Sequence, residues 1–403
     1  MIVDDDKAMA ESNAALLEKT GHKVTIQTSP KEALEQITTL APDCIISDLM
    51  MPNMDGIEFF QNVRKIEMNK QPTFVILTTK VFEFDRRRAF ELGVDGYLTK
   101  PPHPESFLSD LLEIINKEMI IQFWGVRGTL PVPGENSVYY GGNTNCTTLS
   151  LAKKHFFIFD AGTGIKKLSN YLIAQKKLPI AAKVFISHPH YDHINGIPFF
   201  VPLYMKGNEF DSYGASFGGM NIEQIIAGQM DSIYFPITVK EFSAKISFHD
   251  LKEESFTIDE VEIQTIFLNH PGSCLGYRIQ YNNKVFCYIT DHELYLENVP
   301  YYNQFEVDRL IHFINEADVL VIDTTYTDAE YVNKIGWGHS CVSRVADIAD
   351  KAKVKLLCLF HHDPDQSDKN IEFKLNEAKK ILASRQSKTR CIAPREGEKI
   401  TIL

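Results

Sequence analysis

Apolar and polar residues alternate along residues 1–118 in a pattern that predicts five strands and five helices in strict alternation. The apolar runs DCIISD and TFVILTT are typical of buried strands, whereas KAMAESNAALLEKT and PESFLSDLLEIINK have the spacing of amphipathic helices. Gly21 closes the first helix, and Pro30 lies in the first turn of the second. This order predicts an α/β fold with a doubly wound parallel sheet, whose ligand site lies at the carboxyl ends of the strands.

The pattern changes at residue 119, and residues 119–403 are predicted to form a second domain. Short β-rich runs such as MIIQFWGV, HFFIFDAG and KVFCYITD dominate there, with helical segments such as GIKKLSNYLIAQK between them. Two sheets with outer helices accommodate this order. No Gly/Ser-rich or Pro-rich spacer precedes MIIQFWGV, so we expect the two domains to keep a defined relative orientation.

Composition is that of an ordinary globular protein. The chain has 403 residues, of which 44% are hydrophobic and 24% charged, and no apolar run approaches the roughly 18 residues of a membrane span. The start MIVDDDKAMA lacks the features of a secretion signal, so we expect a cytoplasmic protein that does not contact membranes. Seven scattered cysteines without a C-x-x-C pair argue against disulfides and thiolate zinc sites. A net charge of -11 disfavours binding of long nucleic acids.

Polar residues follow the predicted strands of the first domain where each strand ends. They are Asp4, Asp5 and Asp6 after the first strand, Asp48 after the third, Thr78 after the fourth and Lys100 after the fifth. Clustered carboxylates repel each other unless a hard cation lies among them, and Mg²⁺ prefers such oxygen ligands. A lysine and a hydroxyl that face the ion would receive a phosphoryl group.

The segments VDDD, SDLMMPNMDG, LTT and GYLTKPP resemble the motifs of the receiver domain of two-component response regulators, over residues 1 to about 118. The resemblance implies that Asp48 is the phospho-acceptor, served by a cognate sensor histidine kinase or a phosphotransfer protein. It implies that Asp5 holds Mg²⁺ together with Asp48 and the carbonyl of Met50, and that Asp4 assists through water.

The same resemblance implies roles for residues on the last two strands of the receiver. Thr78 and Lys100 would contact the phosphoryl group, Tyr97 would be the aromatic switch residue, and the Lys100–Pro101 peptide would be cis. Receivers often pair through their last strands and helices, so a homodimer is a further expectation. Only three residues precede Asp4, which predicts a clipped first strand and indicates a shortened chain or a misplaced start.

The stretch SHPHYDHING concentrates ligating side chains in the second domain. It follows the β-rich run AKVFIS and supplies His188, His190, Asp192 and His193 where the strand becomes a loop. Buried imidazoles need partners for both ring nitrogens, so a shared task is expected, although a polar surface loop is the alternative. Imidazole and carboxylate ligands fit zinc, manganese or iron better than calcium or magnesium.

Further polar residues close other strands of this domain and supply enough donors for two metals. They are Asp160, His270, Asp291 and His361. With WGVRGTLPVPG, YGGNTNC, GWGHS and LFHHDPDQSD, this pattern resembles the metallo-β-lactamase superfamily, in particular its phosphodiesterase and ribonuclease Z-like branch. The resemblance covers residues 119–403 and implies an αββα fold.

The resemblance implies two metal sites, in which zinc is the expected ion and manganese or iron the alternatives. One metal would be held by His188, His190 and His270, and the second by Asp192, His193 and His361, with Asp291 bridging. His362 competes with His361, which we prefer because it directly follows the apolar strand. Asp160 is expected to organise the histidine loop. Asp192 and His339 are the catalytic candidates, with His339 steadying phosphate oxygens or protonating the leaving group.

Residues 199–245 are predicted to form an insert that covers the site as a lid. Unlike the basic arm with which ribonuclease Z holds transfer RNA, this segment is net acidic. A lid over a small ligand is therefore expected, with ring stacking on its aromatic residues, namely Tyr204, Phe210, Tyr213 and Phe217.

The sequence as a whole predicts a dinuclear-metal phosphodiesterase that acts on a cyclic nucleotide or another small phosphodiester and is controlled by phosphorylation of Asp48. One alternative is a non-hydrolytic di-iron sensor of oxygen or redox state, although related flavo-di-iron proteins usually have glutamate at the position of His190. Another is a hydrolase of thioesters, lactones or RNA.

Overall fold

A computed structural model describes residues 1–68, 70–80, 83–100, 102, 106–116, 118–152, 154–175 and 177–402. These residues form two compact units. The first comprises Met1–Met119 with Ser150–Phe156, and the second comprises Ile120–Leu149 with Phe157–Ile402. The predicted cis peptide between Lys100 and Pro101 lies outside the described residues.

The first unit contains a five-stranded parallel sheet of order β2-β1-β3-β4-β5. Its strands are β1 (Ile2–Val3), β2 (Ile26–Gln27), β3 (Cys44–Ser47), β4 (Thr73–Thr78) and β5 (Gly96–Thr99). Its helices are α1 (Lys7–Glu18), α2 (Pro30–Leu40), α3 (Gly56–Lys65), α4 (Glu83–Glu91) and α5 (Phe107–Ile115). The alternation predicted from the sequence is confirmed, and the fold is the doubly wound, flavodoxin-like α/β fold.

Both faces of this sheet are covered, which explains why its strands are apolar throughout. Ile45, Phe74 and Ile76 pack in the core that contains α2 and α3. The residues that alternate with them, such as Ile46 and Val75, pack in the core that contains α1 and α5. The carboxyl ends of β1, β3, β4 and β5 therefore meet at one edge, beyond the apolar layers.

The second unit contains two seven-stranded sheets, counted over the described residues. The first sheet has the order β11-β10-β9-β8-β7-β6-β19 and the second β12-β13-β14-β15-β16-β17-β18. The first consists of β6 (Met119–Gly125), β7 (Cys146–Leu151), β8 (His155–Phe159), β9 (Ala181–Phe185), β10 (Glu209–Ala215), β11 (Lys245–Leu251) and β19 (Lys399–Ile402). The second consists of β12 (Ser255–Ile258), β13 (Val261–Phe267), β14 (Leu275–Tyr281), β15 (Lys284–Ile289), β16 (Val319–Asp323), β17 (Leu356–Phe360) and β18 (Arg390–Ile392).

An aromatic layer fills the space between the two sheets. Phe159 of β8 lies 5.3 Å from both Phe286 and Tyr288 of β15, measured between ring centroids. Phe185 of β9 lies 5.2 Å from Tyr277 of β14. Large rings bury more apolar surface than aliphatic side chains and pack in tilted pairs, so this layer is the main core that joins the sheets. The predicted αββα arrangement is confirmed.

Helices connect and flank the strands of the second unit. They are α6 (Gly164–Ala174), α7 (Tyr191–Ile194), α8 (Ile222–Gln229), α9 (Gln304–Phe313), α10 (Asp328–Tyr331), α11 (Val342–Lys351) and α12 (Asp368–Ser384). Helices α9, α11 and α12 share one apolar core with the second sheet. None of the described helices is long and apolar enough to cross a membrane.

The predicted lid over residues 199–245 is wrong in part. Residues 209–215 form β10, which is paired in parallel with β9 and β11 inside the first sheet. Phe210 is buried, and the Tyr213 ring stacks on Phe185 at 4.9 Å and on His249 at 4.5 Å, so protein side chains already pack against both rings. The surrounding glycines and aspartates obscured the two-residue alternation of this strand. Tyr204 is likewise engaged, because its hydroxyl donates to the carbonyl of Pro198.

Candidate metal centre and phosphoryl-acceptor site

Three strands of the second unit end in residues with left-handed backbone. Asp160 follows β8 with φ 57°, Asp291 follows β15 with φ 45°, and His361 follows β17 with φ 59°. This conformation costs about 1 kcal/mol for most residues, and aspartate and histidine are found in it several-fold more often than most others. The chain therefore leaves each sheet abruptly at a residue with a ligating side chain.

Three histidines and Asp291 form a first group of donor atoms. His190 Nδ1 lies 2.8 Å from His188 Nε2 and 3.2 Å from His270 Nε2. The Oδ2 atom of Asp291 lies 3.5 Å from His188 Nε2 and 3.6 Å from His270 Nε2. The four ligating atoms lie within 4.8 Å of one another, which is the spacing that one cation requires.

A second group lies on the other side of Asp291. Asp192 Oδ2 lies 3.1 Å from His193 Nε2 and 3.2 Å from His361 Nε2. The Oδ1 atom of Asp291 lies 3.2 Å from His193 Nε2 and 2.9 Å from His361 Nε2. The two oxygens of one carboxylate thus face two separate donor sets. The structure brings all seven predicted ligands together, and their donor chemistry fits two borderline cations.

The first group is suited to binding a metal at neutral pH. Burial lowers the pKa of His188, His190 and His270, so these imidazoles are neutral and keep a lone pair. His190 is the exposed member of the group, whereas His188 is buried. The site therefore opens to solvent beside His190.

The second group carries charge of both signs when no metal is present. Burial alone would lower the pKa of His361, but the Asp291 and Asp192 carboxylates raise it to about 10. Burial opposes the charge on His193 as well, and the Asp192 and Asp291 carboxylates again raise its pKa. Protons on these imidazoles hold the positions that a cation would take, so metal binding here would release protons.

Asp160 lies behind the second group and orients it. Its fully buried carboxylate accepts hydrogen bonds from His193 Nδ1 at 2.8 Å, from Tyr288 Oη at 2.9 Å and from the Ser187 backbone N–H at 2.8 Å. Because Nδ1 of His193 donates to Asp160, Nε2 is the nitrogen that points into the donor set, and it would offer its lone pair to a metal on release of its proton. The geometry agrees with the organising role predicted for Asp160.

The remaining imidazoles are oriented by partners that the sequence analysis did not identify. Nδ1 of His188 lies 3.1 Å from Ser187 Oγ, and Nδ1 of His361 lies 3.1 Å from Thr325 Oγ1. Nδ1 of His270 lies 2.9 Å from the carbonyl of Gly338. Nothing in the local sequence marks these partners, because two of the three come from distant parts of the chain.

Of the two adjacent histidines, only His361 reaches the donor sets. His362 is buried, both of its ring nitrogens lack a hydrogen-bond partner, and its ring lies 6.2 Å from that of Tyr140. A Cβ atom at Gly128 would lie 2.1 Å from His361 Cε1, so only glycine at position 128 leaves room for that ring. The geometry favours the predicted choice of His361.

His339 lies beside the donor sets and is held by a carboxylate of its own. Its Nδ1 lies 2.8 Å from Asp323 Oδ2, and its ring stacks on that of His361 at 4.9 Å. Burial would lower the pKa of His339, but the Asp323 carboxylate raises it above its ordinary value. Asp323 also accepts from Thr325 N at 2.9 Å and from His292 N at 3.1 Å, so its oxygens are already occupied by protein donors.

Glu293 fixes the loop that carries His339, a role that the sequence analysis missed. Its buried carboxylate accepts from Gly336 N at 2.7 Å, Gly338 N at 2.8 Å and Tyr331 Oη at 2.8 Å. The carbonyl of Gly338 in turn contacts His270. Glu293 therefore positions one ligand and the neighbouring histidine together.

The predicted receiver residues meet at the carboxyl edge of the five-stranded sheet of the first unit. Ligating oxygens of Asp4, Asp5 and Asp48 lie within 4.8 Å of one another. Lys100 Nζ lies 2.7 Å from both Asp48 Oδ2 and Asp4 Oδ2. Burial would lower the pKa of Lys100, but its bonds to Asp4 and Asp48 raise it, so the ammonium group stays charged. Thr78 is buried at the end of the neighbouring strand.

Other predicted receiver residues surround this cluster. Asp48 Oδ1 accepts from the backbone N–H of Leu49 at 2.6 Å and of Met50 at 3.4 Å. Tyr97 is buried, and its hydroxyl donates to the carbonyl of Lys80 at 3.1 Å. A Cβ atom at Gly56 would lie 2.3 Å from the carbonyl oxygen of Asp48, which explains the glycine there. The individual roles of these residues remain predictions.

Comparison with known proteins identifies both folds. Residues 1–112 match the response regulator receiver domain. The chain is 32% identical over 120 residues to the alkaline phosphatase synthesis transcriptional regulatory protein PhoP of Bacillus subtilis, a match that covers 30% of this chain and 49% of the relative. Response regulator Rre1 of Synechocystis is 34% identical over 106 residues, which cover 26% of this chain and 46% of the relative. The chain spans about half the length of these curated relatives.

The second unit is similar to solved structures of the metallo-β-lactamase fold. The metallo-beta-lactamase fold protein YhfI from Bacillus subtilis aligns with a TM-score of 0.52 and 19% identity, over 71% of this chain and all of that chain. Yeast PDE1 aligns with a TM-score of 0.51 and 12% identity, over 70% of this chain and 99% of that chain. At these identities the likeness establishes the fold alone.

Residues 155–362, about half of the chain, match the beta-lactamase superfamily domain. The class of protein is thus a receiver fused to an αββα metallo-β-lactamase-fold domain. The chain belongs to the beta-lactamase superfamily. The predicted fusion of a response regulator receiver to a metallo-β-lactamase-fold domain is confirmed.

The contacts of Asp160 lead to a prediction about metal affinity. Asp160→Asn replaces one carboxylate oxygen with an NH2 group, which cannot accept a hydrogen bond. The remaining oxygen cannot serve both the Ser187 N–H and His193 Nδ1, so the imidazole loses its fixed tautomer. We expect the affinity of the second site to fall about 10- to 100-fold. Competition with a chromophoric chelator measures it. Tyr288→Phe, which removes one of the other hydrogen bonds to Asp160, is the matched control. An equal loss of metal affinity in both variants would contradict the role of Asp160 in orienting His193.

The different placement of the two adjacent histidines gives a second prediction. His361→Asn is expected to reduce the bound metal from two equivalents to one, because it removes a donor from the second set. His362→Leu should keep both equivalents, because the buried His362 ring makes no hydrogen bond that leucine would lose. Elemental analysis of both purified variants tests this, and loss of metal from the His362 variant alone would reverse the assignment.

Proposed function

We propose that this protein is a response regulator whose output is a dinuclear-metal phosphodiesterase acting on a small phosphodiester, controlled by phosphorylation of Asp48. The observation that supports the proposal is the Asp291 carboxylate, whose two oxygens face two separate donor sets at distances of 2.9–3.6 Å. Two divalent cations in these sets, zinc or alternatively manganese or iron, would supply a hydroxide at neutral pH and neutralise the charge of a phosphodiester.

The charges of the chain's own residues favour an anionic substrate. Asp192 and Asp291 bring two negative charges to the donor sets, which is fewer than the four positive charges of two divalent cations. The surplus positive charge attracts a phosphodiester more strongly than a neutral thioester or lactone. His339 lies beside the donor sets and can supply a proton to the substrate. Its Nδ1 is held by Asp323, so Nε2 is the nitrogen that would face the substrate. His339 is therefore proposed to protonate the leaving oxygen.

The charge of the segment over residues 199–245 favours a small substrate over RNA. Three lysines are outnumbered there by acidic residues, namely Glu209, Asp211, Glu223, Asp231 and Glu241. A polynucleotide binds through many phosphate contacts, which an acidic surface opposes.

The receiver is proposed to set when the second domain is active. Asp48 and Asp4 share the Lys100 ammonium group, so the acceptor carboxylate is already placed beside a cation that would contact a phosphoryl group. A sensor histidine kinase or a phosphotransfer protein is the proposed donor. Tyr97, bonded to the Lys80 carbonyl, is the proposed switch residue that would respond to phosphorylation.

The enzymatic proposal is tested with a panel of cyclic mono- and dinucleotides. Protein loaded with Zn²⁺ or Mn²⁺ is expected to cleave at least one member, as followed by chromatography of the products. His190→Ala removes the exposed donor of the first group and should lower the rate at least about 100-fold. If the wild-type protein cleaved none of the phosphodiesters in the panel, the proposed activity would be refuted.

Control by the receiver is tested with beryllofluoride and Mg²⁺, which mimic phosphorylated aspartate. We expect the mimic to change kcat/KM for the best panel substrate, and Asp48→Asn to remove the response because it removes the acceptor oxygen. Asp55→Asn, at the start of α3, is the matched control with the same charge change. If the mimic changed kcat/KM of Asp48→Asn as much as that of the wild-type protein, the change would not depend on Asp48.

A further inference from the structure

A cavity of about 600 Å³ adjoins the metal centre on the side of His190. Three parts of the chain line it. Phe199 lies in the segment after the metal-binding loop, and Phe217 lies in the turn before α8. Gly228 and Gln229 belong to α8, and Tyr234 follows that helix. His190 belongs both to the lining and to the first donor group. A molecule bound at the donor groups can therefore extend directly into this space.

The lining is apolar and aromatic. Among the described residues that line the cavity, none is an aspartate, glutamate, lysine or arginine. The rings of Phe199 and Phe235 form one edge-to-face pair at 5.4 Å. Phe217 packs against the backbone of Gly272, two residues after the predicted ligand His270. Phe199 and Tyr234 are 51% and 79% exposed, so these rings have unfilled apolar surface that a ligand would cover.

Two amide side chains in the wall are not satisfied by the protein. Asn195 buries its Oδ1 atom and Gln229 buries its Nε2 atom, and neither atom has a hydrogen-bond partner. A buried polar atom without a partner costs about 1–3 kcal/mol. Both residues are only partly buried, so their amides can rotate towards the cavity, where a ligand with donor and acceptor groups on a flat edge would remove that cost and a hydrocarbon chain would not.

We infer that this cavity binds an uncharged, planar heteroaromatic group of the substrate, of the kind that a nucleobase presents, while the phosphodiester lies at the metal centre. The aromatic rings stack on its faces, and Asn195 and Gln229 bond its edge once their amides rotate towards the cavity. The volume lies in the range of small-molecule sites, which fits a nucleoside. This inference rests on the proposed phosphodiesterase function and assigns its specificity to residues outside the metal centre.

Two phosphodiesters with the same leaving group test the inference. They are the p-nitrophenyl ester of thymidine 5′-phosphate and methyl p-nitrophenyl phosphate, which differ only in the group that would enter the cavity. Stacking contributes about 1–3 kcal/mol per base, so the metal-loaded wild-type protein should favour the thymidine ester about 10-fold or more in kcat/KM. A ratio near 1 overturns the inference.

Gly228 offers a variant that fills the cavity without disturbing the fold. It lies on α8, and a Cβ atom there would meet no other atom within 4 Å. Gly228→Phe should reduce the ratio between the two esters towards 1, whereas the matched control Gly228→Ala should keep it. Both replacements favour the helix over glycine, and equal unfolding temperatures of the two variants establish that a difference between them does not come from misfolding. An unchanged ratio in Gly228→Phe counts against the cavity as the binding site.

Binding without catalysis separates this inference from the proposed function. Saturation-transfer NMR with thymidine should show contact with the wild-type protein and with Gly228→Ala, and a loss of contact in Gly228→Phe. If neither ester and no member of the cyclic nucleotide panel is cleaved while thymidine still binds in this pattern, the proposed function fails and the cavity assignment stands. If an ester is cleaved and thymidine binds all variants equally, the cavity assignment fails and the proposed function stands.

Discussion

The arrangement of the second domain depends on the buried carboxylate of Asp291. It is 2% exposed and lies at the end of β15 between four imidazole nitrogens. A buried charge costs several kcal/mol unless opposite charge or hydrogen bonds compensate it. Here the nearest compensation comes from Thr290 Oγ1 at 2.8 Å and from the surrounding histidines. The histidines must therefore be held close to Asp291, and cations between them would complete the charge balance.

The aromatic layer between the sheets holds these histidines in place. Tyr288 packs against Phe159 through its ring and donates to Asp160 through its hydroxyl. Asp160 in turn binds His193, so a ligand of the second donor set is connected to the rigid core by two hydrogen bonds. Side chains that are fixed by packing lose little entropy when a ligand binds, which is the basis of a preorganised site.

The sequence was sufficient for the parts of the structure that local patterns specify. Strand ends with ligating residues, such as His361 after an apolar run, could be located because periodicity predicts where a strand stops. Glu293, Thr325 and Gly128 could not, because each acts on a residue that is distant in sequence and adjacent only after folding. Tyr213 was misassigned for a related reason, since its neighbours Gly214 and Asp211 are typical of loops while its pairing partners lie in β9 and β11.

The two candidate sites of the chain differ in donor chemistry, and this difference would keep their cations separate. The receiver site offers carboxylate oxygens and places the Lys100 ammonium group among them, which suits a hard, partly hydrated ion such as Mg²⁺. The second centre offers five imidazoles and two carboxylates, which bind borderline transition metals far more strongly than Mg²⁺. A change in Mg²⁺ or phosphoryl occupancy at Asp48 would therefore leave the metals at Asp291 in place. On this basis the control proposed for the receiver would not require removal of the ions on which the chemistry of the second domain would depend.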